Sequence, residues 1–194
     1  SSIIIYNDSY AKRICNYNLR PIDIAQVDAS GKRFYAFNII GWGLATDAGL
    51  LAEKLRWLGG IRYDIASIIE VLKGRRRIAT LKINGEEFKE DFVFIIACNT
   101  IHTGKAMKMA PYAKLDDGLI DLIIVRKTSR LKLLKLFPKL FSGDHVKSPL
   151  VDYQQVNQFS IMIEGEDRLT IDGELIGETP LHVQILSNEI NVLV

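Results

Sequence analysis

Apolar positions in this chain fall mostly into short runs, many alternating with polar residues at the period of half-buried strands. Arg77 to Ile83 sets Ala79, Leu81 and Ile83 on one face, and Asn84-Gly85, a strong hairpin signal, follows directly. Arg33 to Ile40 is rich in aromatic and β-branched residues, and Phe92 to Cys98 and Leu119 to Val125 are continuous apolar runs. Phe159 to Ile163 and Arg168 to Ile171 flank the turn-like Glu164-Gly165-Glu166-Asp167. Leu181 to Leu186 and Glu189 to Val194 flank Ser187-Asn188, and these last four segments predict an antiparallel meander.

Three segments have a helical period. Leu50 to Leu58 stops at Gly59-Gly60. Ile61 to Lys73 places Ile65, Ile68, Ile69 and Leu72 at i, i+3, i+4, i+7 spacing and ends at Gly74. Ser129 to Phe141 starts at an N-cap, Thr128 or Ser129. Its leucines and phenylalanines share one broad face, with Lys132, Lys135 and Lys139 on the other. Pro138 should end or kink it, because proline removes a donor and clashes with the previous turn. The expected fold is mainly β (α+β), an antiparallel β-sandwich or barrel-like sheet with two or three helices.

A length of 194 residues suffices for one domain with a sizeable core, and no repeats or low-complexity segments divide it. A net charge of +2 with 25% charged residues argues against a strongly electrostatic nucleic-acid binder. Cys15 and Cys98 sit in unrelated contexts, Cys98 reading as a buried thiol. No disulfide framework is implied, which fits a reducing compartment. No stretch is long and apolar enough to span a bilayer, and the N-terminus lacks a signal-peptide pattern. The chain opens on Ser1, so it reads as processed or cut. His102 and His145 have no ligand-spaced partner and read as surface or satisfied residues.

Two acidic turns supply the candidate chemistry. Asp116-Asp117-Gly118 opens one strand-like run, and Asp172-Gly173-Glu174 follows another. Carboxylates at strand ends suit a divalent cation and phosphate chemistry. Asp-Gly is equally the signal of a plain turn, and on spacing alone the turn is favoured.

Four motifs in order shift that balance: Gly41-Trp42-Gly43-Leu44-Ala45-Thr46-Asp47; Glu53 through Gly59, closed by Arg62-Tyr63; Ala110-Pro111 through Asp117-Gly118-Leu119; and Asp172-Gly173-Glu174. From about Pro21 onward the chain resembles the C-terminal lobe of the lipid kinase family that includes sphingosine, ceramide and diacylglycerol kinases, most of all the sphingosine kinase branch. The resemblance implies a single lobe over residues 1–194, with the N-terminal ATP-binding lobe and its Gly-Gly-Asp-Gly loop absent. It implies transfer of a phosphoryl group from ATP, with Mg²⁺, to a lipid hydroxyl. The isolated chain is then expected to be inactive and to bind Mg-ATP weakly, for want of a phosphate-cradling loop.

By the same resemblance, Asp172 and Glu174 are catalytic acids. Arg56, Arg62, Asp172, Gly173 and Glu174 face the nucleotide. Asp117, with the carbonyls of Lys114 and Leu119, holds a metal. Asp47 and Gly49 bear on the substrate. The position that in sphingosine kinases offers an acid to the amino-alcohol head matches Gly49, so either Asp47 replaces it or the substrate is neutral. Implied partners are a lipid, the missing lobe and a membrane surface, with no nucleic acid; the implied location is cytoplasmic and peripherally membrane-associated. The basic helix from Ser129 reads either as ordinary packing on the sheet or as a lid over a lipid-tail pocket. Two other readings stay open: a non-catalytic lipid-binding or regulatory domain, and a small-molecule kinase resembling NAD kinase.

Overall fold

The computed structural model describes residues 19–75, 77–104 and 107–193, so Cys15 lies outside the described residues. Ten strands form one antiparallel sheet. The first three are β1 (Leu19–Ala29), β2 (Lys32–Ala36) and β3 (Ile39–Gly43); β4 (Arg77–Ile83), β5 (Glu86–Cys98) and β6 (Ile120–Arg126) follow. The last four are β7 (Asp152–Val156), β8 (Gln158–Met162), β9 (Leu169–Ile171) and β10 (Leu181–Leu193). The order runs β2-β1-β10-β8-β4-β5-β3-β9, with β6 also pairing β5 and β7 pairing β6. The mainly β, sandwich-like expectation holds, and the sheet does not close into a barrel.

The sheet wraps one core and offers its other face to helices. Ile40, Trp42, Leu81, Phe92, Ile95, Leu122, Phe159, Ile161 and Val183 pack in the inner cluster, where Trp42 and Phe92 meet edge to face at 6.4 Å. The opposite face of β5 and β6 contributes Val93, Ile96, Cys98, Ile123 and Val125 to a second cluster with helical residues. This explains the continuous apolar runs of β5 and β6: both faces are covered, so alternation has no polar phase. Cys98 is buried, and burial raises its thiol pKa.

The helices are α1 (Leu44–Lys54), a 3₁₀ turn (Arg56–Ile61), α2 (Arg62–Lys73), α3 (Arg130–Leu136) and α4 (Lys139–Ser142). The first starts six residues before the expected Leu50. Gly43 makes this abrupt strand-to-helix junction: its φ is 84°, and a Cβ there would lie 2.6 Å from the Val93 carbonyl oxygen. Ser129 caps α3 by accepting from the Lys132 amide, and Pro138 splits the predicted helix into α3 and α4. Asn84 and Gly85 both have positive φ, as the two-residue hairpin between β4 and β5 requires.

Two expectations are corrected. The run from Arg33 to Ile40 breaks at Phe37-Asn38 into β2 and β3. The C-terminal meander does not form. The segment from β8 pairs with β4 and β10, β9 pairs with β3, and Leu181–Leu193 is one strand along β1. Ser187-Asn188 is therefore a bulge rather than a hairpin turn: Ile22 faces Ile190 while Ile24 faces Leu186.

Asp23 fills that bulge. It is fully buried. Its Oδ1 accepts from the Asn188 amide at 2.8 Å and its Oδ2 from the Gly118 amide at 2.7 Å. Its own amide donates to the Leu115 carbonyl, and its carbonyl accepts from Asn99 Nδ2. Asp23→Ala orphans two part-buried amide donors and is expected to cost about 2–5 kcal/mol in urea unfolding, with m unchanged. His145, in a second 3₁₀ turn (Asp144–Lys147), is buried; its Nε2 lies 3.0 Å from the Met109 carbonyl oxygen, and its Nδ1 has no hydrogen-bond partner among the described residues. Burial lowers its pKa from the ordinary value. The unfolded chain therefore binds the extra proton, and stability is lost as pH falls through about 6.5. His145→Gln should remove that component, read as a smaller loss of urea stability between about pH 7 and pH 5.

Candidate functional site

Helices α1 and α2 on one side and α3–α4 on the other stand over the outer face of β3 and β5, and α2 meets α3 at one end, where Arg130 donates to the Lys73 carbonyl. Between them lies an apolar cavity of about 740 Å³. Ile39, Phe94 and Ile96 form its floor, Ala48 and Val71 one wall, and Leu133, Leu136, Phe137 and Leu140 the other. Small residues on α1, Ala45, Ala48 and Gly49, keep that wall thin. The exposed lining residues Gly59, Gly60, Tyr63 and Gly173 mark the rim, joined by half-buried Arg62. The predicted basic helix is thus one wall of the cavity, with Leu133, Leu136 and Leu140 inward and Lys132, Lys135 and Lys139 exposed.

At the rim, Arg56 and Arg62 converge on Glu53. Arg56 Nε donates to Glu53 Oε2 at 2.7 Å, and Arg62 approaches Oε1 at 3.7 Å while its guanidinium lies over the Tyr63 ring. Both cations stay accessible, and Gly59, at φ 57°, turns the chain between them.

The Asp172-Gly173-Glu174 turn brings Gly173 to the same rim. Its two acids differ in role. Asp172 does not project outward as expected of a turn acid. Its carboxylate folds back and accepts from the amides of Phe37, Asn38 and Ile39 at 2.7–2.8 Å. Its own amide donates to the Ile39 carbonyl. Asp172 thereby clamps the β2–β3 connection. Glu174 is exposed, and its side chain has no hydrogen bond or ion pair among the described residues.

The two predicted substrate residues are separated. Gly49 lines the cavity. Asp47 does not: it is buried, Arg77 grips both its oxygens at 2.8 and 2.9 Å, and Arg75 approaches at 3.5 Å. Its charge is spent within the fold.

Lys114, Asp117 and Leu119 lie in one loop away from the cavity. Asp117 Oδ1 accepts from the Leu119 amide, closing the turn, and no hydrogen bond engages Oδ2 among the described residues. One carboxylate oxygen with main-chain carbonyls is an all-oxygen donor set, which suits Mg²⁺ completed by water. Among the described residues no three His, Cys, Asp or Glu side chains gather as metal ligands. Nearby Asp121 is fully buried; Tyr153 Oη and Gln155 Nε2 donate to its Oδ1, and its Oδ2 has no partner. Burial raises its pKa.

Sequence reasoning missed Asp23, Asn99 and Asp121. Asn99 Nδ2 donates to the carbonyls of Asp23 and Phe37, and its amide donates to the Asn38 carbonyl. It thus joins the Asp23 bulge to the loop that Asp172 clamps. One signal was available: Asp23 falls in phase with the inward Ala25, Val27 and Ala29 of an alternating strand.

Comparison with known proteins agrees with this geometry. Residues 38–194 match the YegS C-terminal NAD kinase beta sandwich-like domain. Sphingosine kinase 1 of Arabidopsis thaliana is 26% identical over 180 residues, covering 72% of this chain and 37% of that protein. A diacylglycerol kinase of Bacillus subtilis is 26% identical over 185 residues, covering 94% of this chain and 60% of that protein. The crystal structure of a diacylglycerol kinase from Bacillus anthracis superposes with a TM-score of 0.71 at 22% identity, over 94% of this chain and 59% of the other. The chain thus spans about 37–60% of the length of these relatives. It belongs to the family of the YegS C-terminal NAD kinase beta sandwich-like domain, the C-terminal lobe of the lipid kinases.

Proposed function

We propose that this chain is the lipid-holding lobe of a kinase that transfers the γ-phosphoryl group of ATP to a lipid hydroxyl. The observation that supports it is the apolar cavity whose rim holds Arg62 and the Asp172-Gly173-Glu174 turn. A lipid tail in the cavity gains the burial free energy of apolar surface, about 25 cal/mol per Å². Its hydroxyl is then held at the rim, where a nucleotide bound by a second lobe would meet it. Positioning of this kind supplies much of phosphoryl-transfer catalysis.

Within this reading the residues divide the work. Arg56 and Arg62 offer planar forks to phosphate oxygens, with Glu53 orienting them. Glu174 is the acid free to face the nucleotide and its metal, or to take the hydroxyl proton. Asp172 acts through position, holding the turn that presents Gly173 and Glu174. Asp117, with the Lys114 and Leu119 carbonyls, would hold a Mg²⁺ that orders its loop, and a Mg²⁺ at the nucleotide would supply charge neutralisation of the phosphates. Gly49 leaves the cavity wall without an acid there, and Asp47, already paired, supports the wall and not the substrate. A peripheral location at a cytoplasmic membrane face follows from a lipid substrate. A non-catalytic lipid-binding domain would share the cavity, but it would have no use for an exposed, unpartnered Glu174 or for accessible Arg56 and Arg62.

The test is phosphorylation of a lipid panel (sphingoid base, ceramide, diacylglycerol) by the full-length protein. Glu174→Gln is expected to lower kcat about a hundredfold or more without changing the melting temperature. Asp172→Asn swaps acceptors for a donor facing three amides, and should lower the melting temperature by a few degrees as well as turnover. Arg62→Ala should raise KM for ATP more than KM for lipid. Normal turnover in Glu174→Gln would remove that residue from the chemistry, and no lipid phosphorylated by the wild type would overturn the reading.

A further inference from the structure

Where α2 meets α3, a second and smaller recess of about 220 Å³ backs onto the apolar cavity and shares Leu44, Val71 and Leu133 with it. The rest of its lining is charged: Arg75 follows the end of α2, Lys127 precedes α3, Arg130 opens α3, and Asp91 comes from β5. Arg130 lies across Gly74, where a Cβ would come within 2.6 Å of Nε, and donates to the Lys73 carbonyl at 3.2 Å. That bond fixes one edge of the guanidinium and leaves its other donors available. Lys127 stands 3.8 Å from Asp91 Oδ2, too far for a hydrogen bond, and Arg75 approaches an Asp47 whose two oxygens Arg77 already holds. Asp91 Oδ1 is buried, and no hydrogen bond reaches it among the described residues. A buried carboxylate oxygen without a donor is costly, so this atom points to a missing partner.

The donor and acceptor set selects a ligand. Three cations around one carboxylate are balanced by a dianion, and the planar forks of Arg75 and Arg130 match the oxygens of a tetrahedral oxyanion. The unmet Asp91 oxygen is an acceptor, so the anion must also carry a proton. Hydrogen phosphate has one P–OH donor beside its acceptor oxygens. Sulfate at neutral pH has none, and neither has a phosphodiester. A phosphomonoester, with a second pKa of about 6, has lost most of its own. Any of these three would set an oxygen acceptor against Asp91 Oδ1, and an acceptor left facing an acceptor is what rejects a ligand most strongly.

We propose that this recess is a site for inorganic phosphate, in which Arg75, Lys127 and Arg130 hold the anion and Asp91 Oδ1 accepts from its hydroxyl. The bound ion joins the end of α2 to the start of α3. Because Leu44, Val71 and Leu133 line both spaces, it braces the two cavity walls at the end where they meet. The site does not include the arginines of the cavity rim, and it stands whether or not the protein is a kinase.

The test is isothermal titration calorimetry of the full-length protein with sodium phosphate and with sodium sulfate, at neutral pH and matched ionic strength. Wild type is expected to bind phosphate saturably and about tenfold or more tightly than sulfate. Lys127→Gln with Arg130→Gln should weaken phosphate about tenfold or more. Asp91→Asn substitutes an amide that donates as well as accepts, so it should bring the two anions within about twofold of each other. The two variants are independent, and if one fails to fold by circular dichroism the other decides. Equal affinity for both anions in wild type, no saturable phosphate binding, or unchanged phosphate affinity in the folded cation variant overturns the proposal. So does loss of phosphate binding in Arg62→Ala, which would move the site to the cavity rim. Tighter binding of glycerol 3-phosphate than of phosphate would assign the recess to a phosphomonoester and overturn it as well. Amide hydrogen exchange at the end of α2 and the start of α3 should slow when phosphate is added, and unchanged exchange with phosphate bound would overturn the brace. All of these readouts are of binding, so their failure leaves the lipid phosphorylation test of the kinase reading standing.

Discussion

Backbone amides donated to two carboxylates hold the frame of this lobe. Asp23 joins β1, the β10 bulge and the loop before β6, while Asp172 gathers the amides of Phe37, Asn38 and Ile39. Asn99 links the two by donating to the carbonyls of Asp23 and Phe37. A buried carboxylate is tolerable only when its lone pairs are filled, and main-chain donors fill them with fixed geometry. Asp23 has no cation partner among the described residues. The acidic loop at Asp117-Gly118 and the Asp172-Gly173-Glu174 turn are therefore positioned by one continuous network.

That network explains why the site sits where it does. The β2–β3 connection, once clamped, sets the start of β3, and β3 runs into Gly43, where the chain turns at once into α1. Helix α1 packs close on β3 through Ala45, whose Cβ would lie 3.3 Å from a Cβ on Gly41, and turns Ala48 and Gly49 to the cavity. The gap to α3–α4 is left for a ligand, and its walls are apolar because both helical layers already pack leucine and valine against β5 and β6. Glu174 is left free because Asp172 performs the structural task beside it.

Local patterns were legible where local physics decides. The Arg77–Ile83 strand, the Asn84-Gly85 turn, the Gly74 stop and the Pro138 break follow from residues within a few positions of each other. The C-terminal strand was misread because Ser187-Asn188 has turn chemistry, and what makes it a bulge is Asp23, far away in sequence. The start of α1 was missed because a clash with the Val93 carbonyl, and not periodicity, fixes Gly43. Within the site, the acidic turns and arginines were visible as motifs. Whether an acid faces solvent or the backbone was not: the partners of Asp172 and Asp47 come from distant segments. The apolar positions of α2 were visible as spacing, but that Val71 is buried while Ile68 and Leu72 stay exposed depends on what packs behind the helix.

The central claim is that the cavity between α1–α2 and α3–α4 holds the lipid tail. Photocrosslinking tests it most directly, using a lipid substrate with a diazirine at the tail terminus and mapping the adduct by mass spectrometry in the full-length protein. Adducts on cavity residues such as Ile96, Met109 or Leu136, competed by unlabelled lipid, are the predicted result. Adducts confined to the outward face of α2 or to another lobe, with the cavity unlabelled, would contradict the account.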